Sequence, residues 1–396
     1  MIDSFYIAWR YLSFNRARSL TLVACVTLIA VLPLTLELLL DESERQLLAR
    51  AETTPLVVGA KGSSLDLAMN SLYFGDTVPE LLSMAAVDRV ADSELALPIP
   101  LYVRFKARGF PIVGTNLDYL DFRGLTIAEG RNLALLGECV LGARVAEELG
   151  LGPGDSLLSS PETLFDLAGI YPLKMHVAGV LAATHSADDL AVFVDLKTAW
   201  VIQGLVHGHQ DLTEVTDPTL VMERSDGKVT ATAKLAQYTE IAPENIDSFH
   251  FHGIPADYPI TSIIALPYDE KAGAILRGRY VSADAEAEDQ QILVPGEVIE
   301  GLLQNIFRIK SVLDAVILLV GMATALALVL VFALSLRLRQ GEIQTIFKLG
   351  CSRSTIVRLL GAEIAIILGG SALLTVPLLA VVARVDEPLV RALFIR

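Results

Sequence analysis

Six histidines, at 176, 185, 207, 209, 250 and 252, are the residues of this chain best suited to hold a ligand. Four of them form two pairs, His207-Gly-His209 and His250-Phe-His252. On a strand, i,i+2 spacing points both imidazoles of a pair to one face, where zinc, copper or haem iron could bind. No cysteine pair accompanies them, and polar loops often carry such histidines, so no metal or other cofactor is expected. The segment GAKGSS at 59–64 has the glycines and lysine of a phosphate loop but not the spacing, because Lys61 precedes Gly62. It reads better as a turn leaving a strand, with Ser64 capping the helix that follows. No nucleophile–base constellation is evident, and the chain is not expected to be an enzyme.

Three acidic residues draw attention to the elements around them. Glu37, Asp314 and Glu363 lie in or beside long apolar runs at 20–40, 312–336 and 360–383. The first run has 21 residues, which at 1.5 Å each span about 31 Å, the thickness of a hydrocarbon core. It is too long for the apolar part of a signal peptide. Apolar residues make up 53% of the chain and charged ones 19%, with a mean hydropathy of +0.52, and this excess sits in the three runs. Pro377 inside the third run is tolerable, because neighbouring helices re-satisfy the freed carbonyl. Glu37 and Asp314 read as interfacial, since end positions of a span can reach water. Gly321, Ala325, Gly369 and Gly370 are small enough for close helix contact.

Basic residues set the orientation. Arg10, Arg16 and Arg18 precede the first run, while Arg337, Arg339, Lys348, Arg353 and Arg358 lie between the second and third. By the positive-inside rule both stretches face the cytoplasm. Residues 41–310 carry 20 basic and 39 acidic side chains, a formal charge of −19, and fall outside. That acidity excludes nucleic acid as a partner. Cys25, Cys139 and Cys351 fall in three different compartments, so no internal disulfide is expected.

The fold class expected is therefore a membrane protein: three transmembrane α-helices, with a large α+β extracytoplasmic domain inserted between helices 1 and 2. The segments are an amphipathic N-terminal helix at 1–19, spans at 20–40, 312–336 and 360–383, the outer domain at 41–310, a cytoplasmic segment at 337–359 and a tail at 384–396. Strands are predicted near 55–59, 97–105, 110–114, 138–142, 174–182, 190–195, 218–223, 261–266 and 291–294. Helices are predicted at 64–74, 143–149, 196–205, 228–239 and 269–279. The core is expected at 52–204 and 291–310, with an insertion lobe at 205–290. Few helix breakers follow Gly296 or interrupt 41–51, so both spans can continue outward as long helices. Ile299, Leu302, Leu303, Ile306 and Ile309 would be the packing face of the second.

The opening stretch AWRYLSFNRARSLTL resembles the start of MacB/FtsX-like ABC transporter permeases. The stretch Arg339-Gln-Gly-Glu-Ile-Gln-Thr-Ile-Phe-Lys-Leu-Gly350, followed by SRSTIVRLLGAEIAI, is similar to that family's coupling segment. VVGAKGSSLDLAMNSLYF at 57–74 and ECVLGARVAEELGLGPGDSL at 138–157 resemble its extracytoplasmic core domain. The resemblance implies a permease subunit that binds a separate cytoplasmic ABC ATPase, pairs with a second copy or a homologous permease, and sits in the inner (plasma) membrane. A periplasmic adaptor is a further partner it suggests. ATP hydrolysis would move the outer domain, driving export, extraction or signalling across the envelope. Arg339, Glu342, Ile343, Ile346, Phe347, Leu349, Gly350 and Glu363 are the residues implied in coupling. Ile343, Ile346 and Phe347 would anchor a short helix in a groove of the ATPase, with Arg339, Lys348, Arg353 and Arg358 adding rim charge.

The family carries a fourth span. Here the sequence stops at Arg396, 13 residues after the third run, and RVDEPLVRALFIR is too short and too charged to cross. The expectation is an outward C-terminus, a helix supplied by a partner, or a truncated product. A second functional class stays open: an anchored receptor or scaffold whose outer domain binds a ligand or an envelope enzyme without ATP coupling.

Overall fold

Long uninterrupted apolar sequence produces long helices, and three dominate this chain. The computed structural model describes residues 2–394 except 161–171, 209–220, 226–227, 232–238, 243, 252, 282–288, 339, 349 and 351. Helix α1 (Ile2–Phe14) is followed by α2 (Arg16–Glu52), which runs 37 residues through Pro33. In the outer sequence come α3 (Ser64–Tyr73), α4 (Ala85–Asp92), α5 (Leu117–Arg123), α6 (Ala143–Leu149), α7 (Leu196–Gln203) and α8 (Glu270–Val281). The chain closes with α9 (Pro295–Leu338), α10 (Gln340–Lys348) and α11 (Arg353–Phe394). Helix α11 continues well past 383, where the apolar run ends.

Two units divide the molecule: residues 1–45 with 303–394, and residues 46–302. Three helices that run through the first contain stretches long and apolar enough to cross a membrane, at 16–39, 295–327 and 354–382, the second stretch beginning in the other unit. Their large apolar side chains, among them Leu318, Leu326 and Leu330 of α9 and Leu373 of α11, are exposed. Such a surface is stable only in lipid or against other apolar helices. Many of the buried positions are small or polar, Ala8, Thr27, Ala362, Ser371 and Thr375 among them. Helix α1 packs on α11, with Ala8 and Ala362 buried. Ser371 Oγ donates to the carbonyl of Val23 on α2 at 3.2 Å, and a Cβ on Gly370 would sit 3.8 Å from Val23. Close approach at small residues is how apolar helices attract one another without a hydrophobic driving force.

The second unit is built on a ten-stranded mixed sheet. Its order is Gln290–Leu293, Leu56–Ala60, Ser262–Pro267, Ala96–Ala107, Phe110–Thr115, Val192–Asp195, Glu138–Leu141, Lys174–Leu181, Ile127–Gly130, with Ser156–Leu158 pairing on Lys174–Leu181. Two neighbour pairs are parallel, 110–115 with 192–195 and 138–141 with 174–181. Burial follows the sequence. Leu56–Ala60, which reads as an unbroken apolar run, is buried at every position, and so is Glu138–Leu141, whose one charge, Glu138, is paired with Arg131. Lys174–Leu181 alternates, with Met175, Val177 and Leu181 buried and Lys174 and His176 half-exposed. Helices cover the sheet at small residues: Gly59 touches Leu67 of α3, and Gly114 touches Ala199 of α7.

Some expectations change. Ser63, not Ser64, caps α3, accepting a hydrogen bond from the Asp66 amide at 3.1 Å. Residues 228–231, expected in a helix, form a strand paired with Val221–Ser225. Asp226-Gly227 stands between them in sequence, the strongest short hairpin signal, and it outweighs the helical reading of the polar run. Of the expected 205–290 lobe, Ser262–Pro267 lies inside the main sheet, between Leu56–Ala60 and Ala96–Ala107. Residues 262–267 therefore belong to the core sheet. Helices α4 and α5 and the strands at 127–130 and 156–158 are additional to those expected.

Candidate functional site

The last turns of α2 and the residue pair just beyond them carry a buried stripe at Leu47, Ala51 and Thr54, spaced i, i+4 and i+7. Arg50 occupies the same stripe. A charge on a buried face must be paired and fully hydrogen-bonded, and the outer domain supplies the partners. Arg50 Nη1 donates to Asp188 Oδ2 at 2.6 Å and Nη2 to Asp188 Oδ1 at 2.9 Å, a bidentate fork. Nη2 also donates to the Tyr119 hydroxyl at 2.8 Å, and Nε to the carbonyl of Leu72 at the end of α3. The guanidinium lies 5.5 Å from the Phe74 ring centroid.

Local sequence places each partner. Ser186 caps a 3₁₀ turn at Ala187–Leu190, accepting from the Asp188 amide and donating to Asp188 Oδ2 at 3.0 Å. Asp189 turns the other way, accepting from the amides of Thr184 (2.8 Å) and His185 (2.7 Å). Two adjacent buried carboxylates therefore serve different partners. Gly142 makes room for the turn: a Cβ there would lie 2.3 Å from the Asp188 carbonyl and 2.4 Å from that of Asp189. Tyr119 and Arg123 are i,i+4 on α5 and share a face. The Tyr119 hydroxyl donates to Asp188 Oδ1 at 2.8 Å. Arg123 Nη2 donates to Thr54 Oγ1 at 2.9 Å, and Thr54 Oγ1 donates to the carbonyl of Arg50 at 2.8 Å. The Tyr73 hydroxyl donates to the carbonyl of Leu47.

The end of α2 is thus held by α3, α5 and the 184–190 loop. Electrostatics agree with that geometry. Burial opposes the charge on Asp188, but Arg50 and the Tyr119 hydroxyl outweigh it and hold its carboxyl below the usual range. Burial likewise opposes the Arg50 cation, and Asp188 reverses the effect, so its pKa is raised. Tyr73 is pushed up to about 12 by burial. Burial first, then the neighbouring Arg50 charge, lower the pKa of Arg123.

None of these residues was singled out by sequence. The readable signal was Arg50 itself, a charge in phase with Leu47, Ala51 and Thr54. The expected coupling residues lie elsewhere. Glu342, Ile343, Ile346 and Phe347 share α10, with both isoleucines and Phe347 spaced i, i+3, i+4. Gly350 follows it with φ +96°, a left-handed conformation that favours glycine after a helix. Arg339 and Leu349 lie outside the described residues. Glu363 is on α11 and is 2% exposed.

His207 and His250 stand directly opposite each other on the paired strands Val206–Gly208 and Phe249–Phe251, while His209 and His252 lie outside the described residues. Among the described residues no group of three His, Cys, Asp or Glu is arranged to hold a metal. Cys139 is a buried strand residue whose thiol is pushed up to about 12 by burial.

A model of the MacB-like periplasmic core domain matches residues 23–242, more than half of the chain. The chain belongs to this family. It is a MacB/FtsX-like ABC transporter permease with three candidate transmembrane helices. Among solved structures it is similar to the periplasmic region of MacB from Actinobacillus actinomycetemcomitans, at 11% identity and a TM-score of 0.35, covering 64% of this chain and 93% of that one. A second is the extracellular domain of the noncanonic ABC-type transporter YknZ from Gram-positive bacteria, at 11% identity and TM-score 0.32, covering 60% and 98%. A third is a domain of a permease protein from Porphyromonas gingivalis, at 14% identity and TM-score 0.27, covering 61% and 89%. No curated protein matches. The family match ends before Ser262–Pro267 and Gln290–Leu293, two strands that complete the sheet of this permease.

Proposed function

We propose that this permease subunit transmits ATP-driven motion from a separate cytoplasmic ABC ATPase to its own extracytoplasmic domain, through α2 and α9. The observation that carries the reading is the clamp on Arg50. Helix α2 is unbroken from Arg16 to Glu52, and its last turns are fixed by a bidentate buried ion pair and by Thr54, which takes a bond from Arg123 and gives one to the Arg50 carbonyl. A helix end held only by apolar contacts could slide or rotate; directional bonds to three separate elements resist both. Helix α9, 44 residues long, gives the domain a second continuous connection in sequence.

In this reading the N-terminus, α1 and α10 face the cytoplasm and residues 46–302 lie outside. Helix α10 docks on the ATPase, with Ile343, Ile346 and Phe347 as apolar anchors, Arg339 supplying rim charge, and Glu342, Leu349 and Gly350 belonging to the same coupling segment. Glu363, buried on α11, positions the coupling helix α10. The permease pairs with a second copy or a homologue, and a periplasmic adaptor is its further partner. The chain itself performs no chemistry.

Co-expression with the ATPase tests this. Purified permease should retain the ATPase, and combined Glu342→Lys, Ile343→Ala and Phe347→Ala changes should release it while the outer domain melts unchanged. If no ATPase co-purifies under any expression condition, or if the triple variant retains it fully, the coupling role of α10 is refuted and the chain acts as an anchored receptor.

A further inference from the structure

Around Asp188 the described residues place two guanidiniums and one carboxylate to pair with them. Arg50 takes both oxygens of that carboxylate. Arg123 approaches from α5, with its guanidinium 5.8 Å from the centroid of the Tyr119 ring whose hydroxyl touches Asp188. Its Nη2 holds Thr54, but its Nε is buried with no hydrogen-bond partner among the described residues. A partly satisfied, partly buried guanidinium beside an engaged carboxylate costs stability, since an unmet buried donor keeps its full desolvation penalty. The fold nevertheless holds it there, on the same helix face as Tyr119.

We propose that Arg123 is the reserve partner of Asp188: when the end of α2 withdraws Arg50, Arg123 leaves Thr54 and takes the vacated carboxylate. Removing one member of a buried ion pair strands the other, and that is what makes such pairs hard to open. A second arginine that takes the carboxylate removes the penalty. Asp188 stays paired in both arrangements, the 184–190 loop keeps its fold, and α2 is freed without unfolding the domain. Thr54, which bonds both the Arg50 carbonyl and Arg123, links the two events. The clamp is then a two-position latch. The purpose of the latch rests on the proposed motion of α2; its existence does not, and it can be tested without an ATPase.

Hydrogen exchange on the full-length permease in detergent, comparing wild type, R50Q, R123Q and the R50Q/R123Q double variant, reads the latch. In R50Q, amides at 47–54 should exchange at least about tenfold faster, while those at 184–190 stay within about threefold of wild type. In the double variant the 184–190 loop should exchange about a hundredfold faster or more, because Asp188 is then stranded. R123Q alone should leave the loop protected. If R50Q exposes the loop as much as the double variant does, or fails to fold, Arg123 is no reserve and the proposal is overturned. The R50Q/D188N variant identifies the cause in that event, since it removes the stranded charge. Loss of ATPase binding in the α10 variant would refute the permease mechanism and leave these exchange outcomes unaffected.

Discussion

At the residue scale, Asp188 is the hub that gives the end of α2 its direction. It is 2% exposed and accepts from Arg50, Tyr119 and Ser186. Asp188→Asn keeps the shape but leaves the buried Arg50 without a counter-charge. Breaking such a pair from one side costs about 3–5 kcal/mol, so the outer domain should melt well below wild type in a full-length thermal scan; a change near zero would mean that the pair contributes little. Acid should do the same to the wild type. The carboxyl is held below its ordinary range in the fold, so its contribution is complete above the unfolded value near ~3.9 and disappears as pH falls through the lower, folded value. Melting temperature plotted against pH should therefore lose a stabilising component below about pH 4, and Asp188→Asn should be flatter than wild type over the same window.

At the element scale, the 187–190 turn can present Asp188 only because α6 begins on a glycine. Gly142 has an ordinary extended backbone, φ −61°, so its requirement is contact and not conformation: the carbonyls of the turn occupy the space of a side chain. Gly142→Ala should cost about 1–3 kcal/mol by overpacking, and should raise exchange at 184–190 before the rest of the domain loosens. Unchanged loop protection would show that the turn can shift without harm. The same elements explain what sequence could and could not reveal. Strands such as 174–181 and 56–60 were legible because alternation or unbroken apolarity is a local property of the chain. The 228–231 strand was misread because its identity depended on a two-residue turn signal in a polar run. The pairing in the clamp was not legible: Arg50 and Asp188 are 138 residues apart, and no local pattern joins them. Only the phase of Arg50 with Leu47, Ala51 and Thr54 marked it, and α5, which brings Tyr119 and Arg123, is short enough to escape a periodicity search.

At the scale of the whole molecule, the reading turns on whether α2 acts as one rod. Its 37 residues correspond to about 55 Å of helix, some 25 Å more than a hydrocarbon core requires. The excess is hydrophilic until Leu47 and Leu48, and a span alone has no need of it. Three glycines inserted between Glu44 and Arg45 should break the rod while leaving both its ends intact. Each glycine weakens a helix by about 1 kcal/mol and adds backbone freedom, and an insertion of three also rotates the following face by most of a turn. The clamp residues all lie beyond the insertion, so the outer domain should keep its melting temperature to within about 2 °C, and ATPase assembly on α10 should be unaffected. What should disappear is the transmitted signal. With the ATPase bound, ATP should alter hydrogen exchange at 47–54 in the wild type and leave it unchanged in the insertion variant. An insertion variant that still responds to ATP at the Arg50 clamp would assign transmission to α9 alone, and would reduce the clamp on α2 to a structural anchor.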